Sequence, residues 1–409
     1  VVEIRFRALG AARRFVDPLG SPRCPCYKSS MKTRGDVVIV GGGVIGLTTA
    51  YYLARAGVEV VVCDQGRVGQ EASWAGAGIL PPSDPQSARQ PLDRLRALSG
   101  RLFPELSAEL RRDTGIDNGF VRCGGLVWPD LEAHADEQEW CGEGVTTERL
   151  DEQSLHQIEP ALGADLGPAR RVPAMAQVRN PRHLQALAAG CLRTGRVTLR
   201  ENAAVQRLIL EVGRVRAVQA ADEIVVGERY LIAAGAWSDP LLVPFGLLPG
   251  IRPVRGQIAL LNPGRLLFRH VLAVGARYLV PRLDGRVLAG STEEDAGFEK
   301  RNTAEGVQGL LELATRLVPA LGEAELEKCW SGLRPGSPDG MPFLGAVPEV
   351  SNLFVAAGHF RAGLQLSPGT AQVLKELIQG EPLSLPLEAF RPDRAATGAI
   401  EVAGRGLGT

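Results

Sequence analysis

The sequence predicts an α/β protein, and three stretches carry that prediction. Residues 36–64 read as strand, glycine-rich turn, helix and strand in succession. Residues 254–292 carry the apolar alternation and turn residues of antiparallel strands. Residues 353–379 read as a short apolar strand, a glycine-bounded turn and an apolar-faced helix.

The composition suits a large folded chain. Its 409 residues include 46 Lys and Arg against 46 Asp and Glu, with no separate basic block, which argues against nucleic acid as a main partner. Apolar runs such as VVIV and VEVVVC are too short to span a bilayer, so no membrane partner is expected. Seven cysteines without CxxC spacing read as reduced thiols in a cytoplasmic protein. The five histidines (134, 156, 183, 270 and 359) lack ligand spacing, and no metal site is expected, Cys24-Pro-Cys26 included. Residues 1–30 hold five arginines and no continuous apolar core, and read as a disordered leader or a start-site artefact ahead of Met31.

From Asp36 the elements follow in order. DVVIV is a buried strand, GGGVIG the turn, LTTAYYLARAG a helix closed by Gly57, and VEVVVCD a strand ending in Asp64. In this arrangement Gly41 permits the tight turn, Gly43 lets backbone approach a pyrophosphate, and Gly46 lets helix and strand pack closely. The helix N-terminus offers unpaired N–H groups to phosphate, and Asp64 is placed to accept from ribose hydroxyls. The unit therefore reads as a Rossmann-like dinucleotide site. EASWAGAGIL then supplies small residues that let backbone approach a planar ligand. Downstream, Ala234-Gly235-Ala236 does the same after the strand Tyr230–Ala233. LDEQSLHQIEPAL and TAEGVQGLLELATRLVPAL read as helices, Asp284-Gly285 as a hairpin turn, and RLLFRHVL as an edge strand. The segment CWSGLRPGSPDGMPFLG is too rich in Gly and Pro for a helix or a central strand, and reads as a rigid frame around Arg334. Arg334 is a candidate carboxylate clamp, or a loop arginine paired with Asp339 five residues on.

VVIVGGGVIGLTTAYYLARAG, EASWAGAGIL, LIAAGAWS, YLVPRLDGRVLAGSTEEDAGF, WSGLRPGSPDGMPFLG and AAGHFRAGLQLSPGTA together resemble the D-amino-acid oxidase superfamily. They are most similar to bacterial glycine oxidases of thiamine biosynthesis. The resemblance runs from about Met31 to Gln379. It implies a glutathione-reductase-type FAD-binding domain (31–115, 181–247 and 332–390) interleaved with an α+β substrate domain built on an antiparallel sheet (116–180 and 248–331). A flexible tail (391–409) would follow.

The resemblance also implies FAD contacts at Gly41, Gly43, Val44, Ile45, Gly46, Asp64, Gln65, Ser73, Gly78, Ile79, Val205, Gly235, Gly363, Leu364 and Gln365. Amides of the last three would face the flavin where negative charge develops. Arg334 would clamp the substrate carboxylate and Tyr278 share it; the alternative for Tyr278 is a packed strand tyrosine. Arg361 would line the site and accept the amine on its carbonyl, unless it merely faces solvent beside a helix start. Cys329 matches broadly a position that carries FAD covalently in some relatives, although a non-covalent cofactor is the expectation. Glu293 and Ala276 lie where relatives vary and leave the substrate range open.

The activity implied is oxidation of glycine, small amines or D-amino acids to the imine or 2-oxo acid, with O2 reduced to H2O2. A thiazole synthase would be the downstream partner, and a homo-oligomer is expected. The rivals are a dehydrogenase passing electrons to a quinone and a flavin-binding tRNA-modification module.

Overall fold

The computed structural model describes residues 32–128, 142 and 144–394. The leader at 1–30 and the tail from 395 lie outside the described residues.

The first strand of the nucleotide unit, Val37–Val40, is buried on both faces and sits inside a six-stranded sheet. Its neighbours are the parallel strands Val60–Cys63 and Arg229–Ile232. Val197–Arg200 and Leu353–Ala357 extend the parallel set outward, and Phe343–Ala346 closes one edge antiparallel. Alternate residues serve two cores, as the period-2 geometry of a strand requires. Val37, Ile39, Val60 and Val62 face the helices Val44–Arg55, Pro91–Thr114, Asn180–Arg193 and Gly363–Gln379. Val38, Val40, Val61 and Cys63 face a four-stranded sheet formed by Lys32–Arg34 and the meander Val205–Val226.

The second large sheet has eight strands. Its order runs Glu325–Gly336, Arg252–Asn262, Val287–Gly290, Arg277–Pro281, Val271–Val274, Gly125–Trp128, Ala169–Val172 and Glu148–Leu150. One face packs under the helix Ala304–Leu317, capped by the Thr303 hydroxyl. The other face, with Ile258, Ala273, Tyr278, Val280 and Trp330, turns toward the nucleotide unit. The Arg277–Pro281 and Val287–Gly290 strands form the expected hairpin, with Gly285 in the left-handed region at φ 89°. Glu152–Ile158 is helical as read, capped by Asp151.

Three readings need correction. CWSGLRPG is not a loop: it is the last two-thirds of the edge strand Glu325–Gly336, laddered to Arg252–Asn262, while on its outer side Gly336 makes only an isolated bridge to His359 and Pro335 O accepts from Phe360 N–H at 2.9 Å. As the edge of the sheet it tolerates Pro335, because its outer side needs no ladder donor. A domain boundary at Gly332 therefore cuts through a strand. In RLLFRHVL only Val271 and Leu272 are in a strand, and that strand is internal, between Gly125–Trp128 and Arg277–Pro281. In the tail expected to be flexible from residue 391, the fourth residue is docked: Arg394 holds Asp339 and stacks on Phe343, its guanidinium carbon 3.7 Å from the ring centre.

Candidate active site

All but one of the predicted site residues line a single cavity of about 670 Å³. One end is the nucleotide turn. Gly41 adopts φ 110°, and a Cβ there would strike Ala233 O at 2.3 Å. A Cβ on Gly46 would stand 1.9 Å from Gly41 O, so Gly46, the exception, serves helix–strand packing behind the cavity wall. Gly43 meets only the Ser73 hydroxyl, leaving its backbone open to a ligand. Ser73 Oγ accepts from Val44 N–H at 2.9 Å and so sits against the first turn of the helix, beside Ile45. The Asp64 carboxylate accepts from Gly42 N–H (2.7 Å) and Gly66 N–H (2.8 Å), which fixes it at the strand end. Gln65 and Val205 extend this end of the cavity.

The middle is built from close backbone approach. Gly78 has φ 77°, and a Cβ would lie 1.9 Å from Val178 O. Ile79 follows it, and Gly235, with φ 55°, lines the same cavity. The helix Gly363–Gln379 begins here, with Gly363, Leu364 and Gln365 as its first three residues. Their N–H groups have no partner four residues back within the helix, so they present the positive end of the dipole to the cavity. Pro368 denies the Leu364 carbonyl its helical donor, and the Ser367 hydroxyl supplies one at 2.9 Å. Gln365 Nε2 donates to Pro81 O at 2.5 Å, tying the helix start to the chain after Ile79–Leu80.

The far end holds Arg334, Tyr278, Glu293 and Arg361. Arg334 donates to Ser291 Oγ at 2.6 Å and to Thr292 O at 3.2 Å. Asp339 is not its partner, because Arg394 takes that carboxylate at 2.9 and 3.0 Å. Tyr278 is 8 % exposed, and its ring lies over Gly290, where a Cβ would clash at 2.6 Å. Arg361 is ion-paired with Glu293 and lines the cavity, with part of its side chain still exposed to solvent. Burial pushes the Glu293 carboxyl upward, against the pull of Arg334 and Arg252. His359 lines the cavity but is buried, faces Thr370 Oγ1 at 3.2 Å, and is pushed down to about 3 by burial. It is a neutral packing residue.

Cys329 does not line the cavity. It packs with the core under the Ala304–Leu317 helix, whereas Trp330 on the opposite face donates to Ala75 O at 3.0 Å. Five residues separate Cys329 from Arg334, an odd number, so strand alternation turns them to opposite faces. The thiol is therefore not placed to carry the cofactor.

Sequence reasoning missed Ser291, Thr292 and Gly256, which set the position of Arg334. A Cβ on Gly256 would stand 2.2 Å from the guanidinium nitrogens. The signal was present, since a glycine inside a strand pattern often marks a close approach. The buried Arg282 and Gln177, which brace the Ala77–Gly78 wall, left no local signal.

Such a cavity, with a glycine turn and acid at one end, helix amides in the middle and an anchored arginine beyond, defines a dinucleotide-dependent oxidoreductase. The sequence model of the DAO family, described as FAD dependent oxidoreductase, matches residues 36–377, and the chain belongs to that family. It is similar to a glycine oxidase of Pseudomonas putida, 39 % identical over 352 residues, covering 86 % of this chain and 96 % of that one. A bifunctional protein ThiO/ThiG of Synechocystis is 36 % identical over 90 % of this chain, which spans 55 % of it. The crystal structure of glycine oxidase from Geobacillus kaustophilus superposes with a TM-score of 0.82 at 33 % identity, covering 89 % of this chain and 99 % of that one. FAD is thus the cofactor, and the residues fit it: the Gly41–Gly46 turn and Asp64 suit its adenosine and pyrophosphate, and the helix amides suit an electron-rich ring.

Proposed function

We propose that the protein oxidises glycine, or a comparably small amine or D-amino acid, to the imine, which water converts to the 2-oxo acid, while O2 becomes H2O2. The observation that carries this reading is the anchoring of Arg334 on Ser291 and Thr292 beside the buried Tyr278. A guanidinium held from one side presents its remaining N–H groups as a fork to a carboxylate, and Tyr278 shares that carboxylate. The Arg361 carbonyl accepts the amine, which must be neutral for its lone pair to assist departure of the α-hydrogen. FAD held against the Gly41–Gly46 turn and the Gly363–Gln365 amides would supply the two-electron acceptor for the hydride and its reoxidation by O2. The similarity to glycine oxidases supports this substrate class.

Similarity to the bifunctional ThiO/ThiG chain supports a thiazole synthase as consumer of the imine. Among the described residues no helix is long and apolar enough to cross a membrane. We place the FAD-binding and substrate domains on the six-stranded and eight-stranded sheets respectively, and expect the chain to form a homo-oligomer, which light scattering checks.

The test is direct. The purified protein should show a flavin spectrum and produce peroxide with glycine, sarcosine, D-alanine or D-proline. Arg334→Ala should raise KM by about a hundredfold or more, as expected for a lost charge-assisted pair, with FAD content kept. Bleaching by substrate without peroxide would point to a dehydrogenase, and an unchanged KM would remove Arg334 from the clamp role.

A further inference from the structure

The four residues after the Val287–Gly290 strand tie the far end of the cavity together. Ser291 Oγ and Thr292 O hold Arg334. Glu293 pairs with Arg361, which precedes the Gly363–Gln379 helix. Glu294 turns away to Arg255, with an Nε contact of 2.9 Å. Glu293 is thereby held between the residue that anchors the clamp and the opposite wall. Its side chain is 13 % exposed.

The charges at this end can be counted. The acids lining the cavity, among the described residues, are Asp64, Glu71 and Glu293. Asp64 is at the nucleotide end, and Glu71 is engaged by Lys300. Only Glu293 stands with the two arginines Arg334 and Arg361. Arg252 is close enough to influence it, but lies 3.8 Å from Asp295 at an exposed position. Two guanidinium groups and one carboxylate leave a single positive charge for a ligand.

We propose that Glu293 is a specificity-determining residue that restricts the site to substrates with one carboxylate. By engaging Arg361 it withholds a second anion site, and it repels a second acidic group on the substrate. The accepted class is monoanionic amino acids and amines; the rejected class carries two acidic groups. The inference rests on the reading of Arg334 as the carboxylate clamp.

The test titrates the FAD-loaded enzyme with acetate and malonate, following the flavin absorbance. Glu293→Gln should improve malonate binding relative to acetate by roughly tenfold or more, because a like-charge contact is replaced by a neutral one. Glu293→Met should do the same, which guards against one variant failing to fold. Adding Arg361→Gln to Glu293→Gln should cancel the gain. A malonate-to-acetate ratio unmoved by either single variant, or a gain that persists in the double variant, overturns the inference while the clamp stands. Acetate binding unchanged in Arg334→Ala overturns the clamp and this inference with it.

Discussion

A Cβ built on Gly256 would stand 2.2 Å from both terminal nitrogens of Arg334, so a missing methyl group in one strand sets where the guanidinium of the next strand lies. Gly256 pairs with Gly332 and Val254 with Arg334, so the arginine leans over its glycine diagonally across the ladder. Gly256→Ala pushes on the far end of a flexible side chain rather than on backbone. The fold should lose little, about 1 kcal/mol or less, while the clamp is displaced. The expected result is a KM raised about tenfold or more with normal FAD content and a near-normal urea midpoint. Steady-state peroxide assays check it, and an unchanged KM would mean that Arg334 does not need this position.

Arg282 is a buried cation held by neutral oxygens. It donates to Ala77 O at 2.6 Å, Gln177 Oε1 at 2.7 Å and Val178 O at 3.2 Å, and Gln177 Nε2 returns a bond to Pro281 O at 2.8 Å. Burial pushes the guanidinium down to about 10, so it keeps its proton at neutral pH. Its donors join the strand that carries Tyr278 to the Ala77–Ile79 wall of the cavity. Arg282→Met strands three acceptors, at a cost of about 3 kcal/mol or more. The urea midpoint should fall, and FAD should dissociate more readily; a lower midpoint with unchanged FAD affinity would confine Arg282 to stability.

The strand–turn–helix–strand unit at Asp36–Asp64 was legible because its signals are local: apolar runs, glycine spacing and a terminal acid. The helix Gly363–Gln379 was legible for the same reason. The segment Cys329–Gly336 misled because composition reports a tolerance for loops and for sheet edges alike. Its status depends on Arg252–Asn262, more than sixty residues earlier. Arg334 had a plausible local partner in Asp339, but that acid belongs to Arg394, 55 residues on. The Glu293–Arg361 pair spans 68 residues and joins two sheets, so no window of sequence contains it. The meander Val205–Val226 was not anticipated, although the Cys63 face of the central sheet needs it as cover.

Because Cys329 faces the core away from the cavity, it should carry no flavin. Burial also pushes its thiol upward, which disfavours the reactive thiolate. Acid precipitation should leave all yellow colour in the supernatant, in the wild type and in Cys329→Ser alike. Colour in the wild-type pellet that is absent from the Cys329→Ser pellet would contradict the strand register described above.

His183 and His359 are 0 % and 3 % exposed, and burial pushes both imidazoles down to about 3. Asn118 Nδ2 meets His183 Nδ1 at 3.0 Å, and His359 Nε2 meets Thr370 Oγ1 at 3.2 Å; neither contact supplies an anion. In the unfolded chain both would titrate near the ordinary value of 6.5. Between about 6.5 and about 3 the unfolded state therefore binds more protons than the native state. Their contribution to stability is complete above the unfolded value and declines as the pH falls through this window. Each histidine contributes a slope approaching about 1.4 kcal/mol per pH unit, so the pair should cost about 4 kcal/mol between pH 7.5 and 5. Urea denaturation of the FAD-loaded protein across that range should show the decline. His359→Asn should remove about half of it, and a variant with the full wild-type slope would show that His359 is protonated without loss of the fold.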